Sequence, residues 1–223
     1  MRWTVALIAL VALGGCVRSA PGFSLGKYAR SNAAEQVRLE GAVGGVYTRE
    51  TEPGTPGGDE DEYLAIPLVE AAGTIRLHEL YGVTVTASTG LLTVEGQLRF
   101  GDPDFAFGVL HGAGIGVIGI NGDPLVQINL VGGVFTQIGI ATNHWLLLGA
   151  RYVFDDVHGD ATTMAGMANE NGLHYLDLGV GWLGQLFTLF GIGAELHGGL
   201  IAPVDGDPVG WFILPTVTLH AAF

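Results

Sequence analysis

Residues 211–223, WFILPTVTLHAAF, decide the fold. Trp211, Ile213, Pro215, Val217, Leu219, Ala221 and Phe223 share one face of a period-two pattern, and Phe212, Leu214, Thr216, Thr218, His220 and Ala222 share the other. Side chains alternate across a strand but not around a helix, so this stretch predicts an extended strand. The same period recurs upstream. Tyr175, Asp177, Gly179 and Gly181 alternate with Leu176, Leu178, Val180 and Trp182. Thr93, Glu95, Gln97 and Arg99 oppose Leu92, Val94, Leu98 and Phe100, while Gln127, Asn129 and Gln137 oppose Val126, Ile128, Leu130, Val134, Ile138 and Ile140.

Alternation alone fits a soluble sandwich as well as a barrel. The composition of the less apolar face separates them. A sheet surface meeting water is dense in charge, whereas here that face is mostly Gly, Ala, Thr and Gln. The opposite face is almost wholly Leu, Ile, Val, Phe and Trp, as contact with hydrocarbon requires. Lipid cannot satisfy an open sheet edge, so the sheet must close. The expected fold is all-β: a closed antiparallel up-and-down transmembrane β-barrel of about 10 strands, with 8 as an alternative.

The strands are expected near 37–49, 62–78, 82–88, 91–100, 105–120, 125–141, 145–155, 173–184, 187–201 and 210–223. An even count puts both barrel ends on one side. The long connections 50–61, 156–172 and 202–209 then all lie on one side, and the short ones near 79–81, 101–104, 142–144 and 185–186 on the other. That asymmetry is the one outer-membrane barrels show.

Composition agrees. The 223 residues suit one domain, with 48% hydrophobic and only 14% charged residues, against about 25% charged in a typical soluble domain. Lysine and arginine total 9 against 22 acids, for a net charge of −13. Lys27 is the sole lysine, and beyond Arg99 only Arg151 and histidines are basic. A nucleic-acid partner is excluded, because the basic footprint that displaces phosphate counterions is missing. With one cysteine there is no intramolecular disulfide and no cysteine-based zinc site. No cofactor is expected.

That cysteine has a distinctive place. Met1-Arg2 forms a short positive region and residues 3–13 an apolar run too short to span a bilayer. Leu13-Gly14-Gly15-Cys16 follows. An ordinary export cleavage after Ala20 would set Arg18 among residues that should be small. Leu13–Cys16 instead resembles the bacterial lipobox, which implies diacylation of Cys16 as the new N-terminus. In that resemblance Val17, not being Asp, permits sorting to the outer membrane. The expected organisation is a lipoprotein signal peptide over 1–15, a lipidated tether over 16–36 and a barrel over 37–223. Phe223 closing an alternating strand resembles the terminal signal read by the outer-membrane barrel assembly machinery. Together these features resemble the broad group of small outer-membrane barrel proteins. The resemblance implies the outer membrane of a Gram-negative bacterium, a periplasmic, lipid-anchored N-terminus, and outer-membrane lipid, lipopolysaccharide and the assembly machinery as partners.

The face expected inside carries Arg38, Glu40, Glu70, Arg76, Glu95, Arg99, Arg151, Asp177, Glu195 and His197. Buried charges need partners, so Glu95, Arg99, Arg151, Asp177, Glu195 and His197 are expected to form a lumenal charge network in an interior filled by its own side chains. Asp155, Asp156, His158 and Asp160 are oxygen-rich enough to hold a metal, yet lack the glycine and terminal glutamate of a calcium loop. With the run 59–62, DEDE, they read as solvated acidic loops that could meet lipopolysaccharide through divalent cations. The serines Ser19, Ser24, Ser31 and Ser88 lie in no nucleophile elbow. Trp145, Trp182, Trp211, Tyr81 and Tyr152 are expected in the interfacial aromatic girdle.

The sequence therefore points to a structural or surface-interaction barrel and names no catalytic residue. Three alternatives stay open. One is a small pore. Another is a lipid A-modifying enzyme using Ser88 or His158. The third is a lipid-tethered periplasmic β-barrel that binds an apolar ligand inside.

Overall fold

The computed structural model describes residues 23–31, 34–50, 63–88, 90–120, 123–158, 172–203 and 210–223. Ten strands follow one another: β1 (Val37–Glu50), β2 (Tyr63–Arg76), β3 (Tyr81–Ser88), β4 (Leu91–Gly101), β5 (Phe105–Ile120), β6 (Asp123–Ala141), β7 (His144–His158), β8 (Leu173–Gln185), β9 (Phe190–Pro203) and β10 (Gly210–Ala222). Each pairs antiparallel with its neighbours in sequence, and β10 returns to β1, closing the barrel. Ten strands, not eight, is the answer. The closing seam runs from Arg38 opposite Ala222 to Glu50 opposite Gly210. Phe223 extends it: its N–H donates to Val37 O at 2.8 Å, and its carbonyl accepts the N–H groups of Gln36 and Val37 at 2.8 and 3.1 Å.

At the end holding both barrel termini the connections are short, spanning 77–80, 102–104, 142–143 and 186–189. This is the end that faces the periplasm in outer-membrane barrels. Two of its turns are set by individual residues. Gly101 has φ +108°, and a Cβ there would lie 2.2 Å from Phe105 O. Next to it Asp102 Oδ1 accepts the N–H groups of Asp104 and Phe105, each at 2.9 Å. The N–H bonds from Phe105 and Asp104 hold the Asp102 carboxyl below its usual range. Asn143, at φ +61°, carries the chain from β6 into β7, a backbone region that Asn enters more readily than most residues.

The two faces divide as the period predicts. Leu178 is 58% and Leu219 63% exposed on the outside, in a belt that includes Val43, Val94, Leu130 and Leu176. The lumenal face buries Glu95, Gln127, Asn129, Asp177 and Thr218. Exposed apolar surface on this scale is incompatible with water and suits hydrocarbon. The reading with apolar faces lining a ligand cavity is therefore corrected: those faces point outward. One girdle residue is also corrected. Trp145 is 4% exposed and packs inside with Leu147 and Leu183, because its parity on β7 is that of Arg151. Tyr152 and Trp211 do face outward, and Trp182 stacks on His144 with ring centroids 5.6 Å apart.

An outward charge near mid-strand tests this arrangement. Leu178→Arg is expected to lower folding stability in lipid vesicles by about 2–4 kcal/mol, read from urea unfolding. A change within about 0.5 kcal/mol, as for an ordinary water-exposed substitution, would place Leu178 outside the hydrocarbon.

Candidate functional site

The lumen is occupied by the chain's own N-terminal segment. Residues 23–31, FSLGKYARS, are buried throughout. The stretch expected to be a tether thus contributes a plug. The physical reason is that small residues line much of the wall and leave space. On β7 and β8, a Cβ at Gly149 would fall 2.4 Å and one at Gly179 3.0 Å from methyl carbons of Leu25. The plug turns once as a short 3-10 helix, Gly26–Tyr28, with Tyr28 N–H donating to Leu25 O and Ala29 N–H to Gly26 O, both at 3.0 Å.

Its polar groups meet wall side chains one by one. Lys27, 1% exposed, places Nζ 3.4 Å from Glu70 Oε1 and 3.2 Å from Glu95 Oε2. Tyr28 donates its hydroxyl to Glu95 Oε1 at 2.8 Å and stacks on Phe135, with centroids 5.4 Å apart. Glu195 receives the N–H groups of Leu25 and Gly26, each at 2.8 Å. The Ser24 hydroxyl donates to Glu40. Gln137 binds the Arg30 backbone twice, accepting its N–H at 2.9 Å and donating to its carbonyl at 2.7 Å. Phe23 sits farther from the periplasmic end, against Phe212 at 5.5 Å between centroids and in a cluster with Leu68 and Leu214.

Of the predicted inward charges Arg76 is half-buried and the others are buried; Glu95, Arg99, Arg151, Asp177, Glu195 and His197 fall into two groups. Arg151 donates from Nε and Nη2 to Asp177 Oδ2 at 3.0 and 2.8 Å, across a register that sets them opposite each other. His197 stands with Nδ1 3.3 Å from Asp177 Oδ1 and Nε2 3.0 Å from Glu195 Oε2. Glu95 and Arg99 do not join this group directly. Glu95 binds Lys27 and Tyr28, while Arg99 donates to Tyr28 O at 3.1 Å and Gln137 Oε1 at 3.1 Å. The plug connects the two groups, since Glu195 and Glu95 both bind it.

Of the four metal candidates, the two with described side chains diverge. β7 runs on to His158, so alternation sends Asp155 into the lumen, where it accepts from Gln127 Nε2 at 2.8 Å, and Asp156 to the other face. The His158 side chain and Asp160 lie outside the described residues, as does Cys16. Among the described residues no His, Cys, Asp and Glu set is arranged to hold a metal. Ser88 ends β3, opposite Glu70 and Leu91.

Sequence reasoning missed Ser24, Lys27 and Tyr28. A signal was present: the only lysine lies in a stretch with Phe23, Leu25 and Tyr28, unlike a bare solvated linker, while the lumenal faces pair carboxylates with glycines. A hollow lined this way requires a filler that carries a cation.

Removing one member of a buried pair tests the network. Arg151→Met leaves Asp177 buried without its cation and is expected to cost about 3–5 kcal/mol. Adding Asp177→Leu to it should restore at least half of that loss in urea unfolding. Equal losses in the single and double variants would mean the two residues are not coupled.

No family model matches the sequence, and no curated protein matches it. The fold is similar to solved bacterial outer-membrane proteins. The outer membrane protease OmpT from Escherichia coli superposes with a TM-score of 0.50 at 7% identity, over 88% of this chain and 100% of that one. Neisserial surface protein A gives 0.43 at 9% identity over 84% and 97%, and the attachment invasion locus protein Ail of Yersinia pestis 0.31 at 11% over 85% and 99%. At such identities the likeness is one of fold alone: the chain is a closed ten-stranded barrel of the bacterial outer-membrane type.

Proposed function

We propose that this chain is an integral outer-membrane lipoprotein, acylated at Cys16, with a structural or surface-interaction role. The observation that carries the role is the seating of Lys27 between Glu70 and Glu95. A lumen held shut by a buried, charge-matched segment of the same chain serves a scaffold better than a passage. What the barrel presents to partners is then its outer loops, whose acidic residues include Asp59, Glu60, Asp61 and Glu62. Lipopolysaccharide, bridged by divalent cations, is the proposed surface partner. The lipobox-like Leu13–Cys16 supports the anchor. The lumenal Ser24 hydroxyl bonds to Glu40 within the buried plug, and the reading gives it a packing role.

Two measurements test it. In planar bilayers the full chain is expected to give no single-channel conductance, and a variant lacking residues 23–31 to give measurable steps. Steady conductance from the full chain would favour a pore. In cells fed labelled palmitate, the wild type should incorporate label and Cys16→Ala should not. Both should show a heat-modifiable band on gels, since the barrel closes without the lipid. Label persisting in Cys16→Ala would remove the lipoprotein reading.

A further inference from the structure

The periplasmic mouth of the lumen gathers arginines in a chain otherwise poor in them. Arg38, Arg76 and Arg99 line one small cavity together with Glu35 and Gln97. Its volume is about 20 Å³, enough for one water-sized body. Arg30 lies within electrostatic reach of Arg99 and Arg76.

The donors around it outnumber the acceptors. Arg38 is 2% exposed; its Nη1 lies 3.3 Å from Glu35 Oε1 and its Nε 4.0 Å from Glu40 Oε2, while Nη2 has no hydrogen-bond partner among the described residues. Arg99 uses Nη1 and Nη2 on Tyr28 O, Asp102 O and Gln137 Oε1, and its buried Nε likewise has no partner among them. Arg76 donates to Glu35 O. Glu35 is the one buried carboxylate lining the cavity, and it is already committed. Its Oε1 faces Arg38, and its Oε2 accepts the N–H and hydroxyl of Ser31 at 2.8 and 2.9 Å. Glu79 stands exposed at the rim.

Buried charge without compensation costs several kcal/mol, and guanidinium forks select compact anions. We propose that this cavity binds one small inorganic anion, held by Arg38, Arg76 and Arg99. Its size admits a halide ion or a single oxygen of a phosphate reaching in from the mouth. Because Arg99 also grips the plug through Tyr28 O, and Arg76 holds the segment that follows it through Glu35 O, the anion ties the plug's periplasmic end to the wall. It is a bound component of the closed lumen, independent of whether Cys16 is acylated.

The test uses the full chain folded in detergent micelles at constant ionic strength. Sodium gluconate, too large for the cavity, is exchanged stepwise for chloride or for phosphate, and the temperature at which the folded band disappears is followed. Ligand binding to the folded state reduces the apparent unfolding constant by the factor 1 + [anion]/Kd. A saturable rise of the transition with chloride, lost in Arg38→Gln, is expected; a rise with phosphate alone would identify the oxygen of a phosphate as the occupant. Equal responses in wild type and Arg38→Gln, or no saturation, would overturn the site. If Arg38→Gln does not fold, Arg99→Lys keeps the charge while removing the Nε donor and replaces it. Wild-type crystals soaked in bromide give an independent reading: an anomalous peak in contact with Arg38 Nη2 supports the site, and its absence together with no saturable phosphate response overturns it.

Discussion

Hydrocarbon offers no partner to a backbone N–H or carbonyl, and each one left unpaired there costs several kcal/mol. That constraint explains why β1 and β10, most of the chain apart in sequence, meet along a seam from Arg38–Ala222 to Glu50–Gly210. It also explains why the seam is finished by Phe223, whose N–H and carbonyl both bond to the segment entering β1. Closure inverts the usual division of side chains. Leu178, Leu219 and Val43 face outward without cost, because the surroundings are as apolar as they are. The inside takes the strand charges Glu95, Arg151, Asp177 and Glu195.

An interior of that kind poses a second problem. A wall rich in glycine accepts long neighbours across the sheet. A Cβ at Gly108 would meet the Phe135 ring at 2.4 Å, and one at Gly133 would meet Arg151 Cγ at 2.8 Å. These cross-strand pairs fill the wall but not the centre. The centre is filled by residues 23–31, and four wall carboxylates find donors there. Glu70 and Glu95 share Lys27, Glu195 takes two backbone N–H groups, and Glu40 takes the Ser24 hydroxyl. Neutralisation and packing are thus solved by the same nine residues.

The strands were legible because their signal is local. Period two is written into each segment, and the expected boundaries fall within three residues of the observed ones at every strand. The inward set was legible for the same reason: parity places Arg151, Asp177, Glu195 and His197 on one surface before any contact is known. Partnership was not legible. Which carboxylate meets which cation depends on register between strands, as Arg151 opposite Asp177 illustrates. The plug escaped entirely, since FSLGKYARS has no period, and its place is fixed by contacts distant in sequence, such as Ser24 to Glu70, 46 residues away, and Leu25 to Glu195, 170 away. Trp145 lies inside because its parity on β7, and not the interfacial preference of tryptophan, decides its side. Asp155 and Asp156 belong to the strand and not to the loop, because β7 runs three residues farther than its apolar pattern suggests.

The plug's chemistry bears on how it moves. Withdrawing it would strand Glu70, Glu95 and Glu195 in the lumen and return Lys27 to water. Each unpaired buried charge is costly, and water entering the vacated centre offsets part of that cost by solvating them. The plugged and emptied states therefore differ by the whole set of matched groups, not by a single latch. A segment bound this way does not swing with ordinary loop motion. It also cannot easily slide in late: Lys27, Tyr28 and two donating backbone N–H groups would each have to pass the narrow, arginine-lined periplasmic mouth while desolvated. Seating the segment before β1 closes on β10 avoids that passage, because the wall then forms around charges that are already paired.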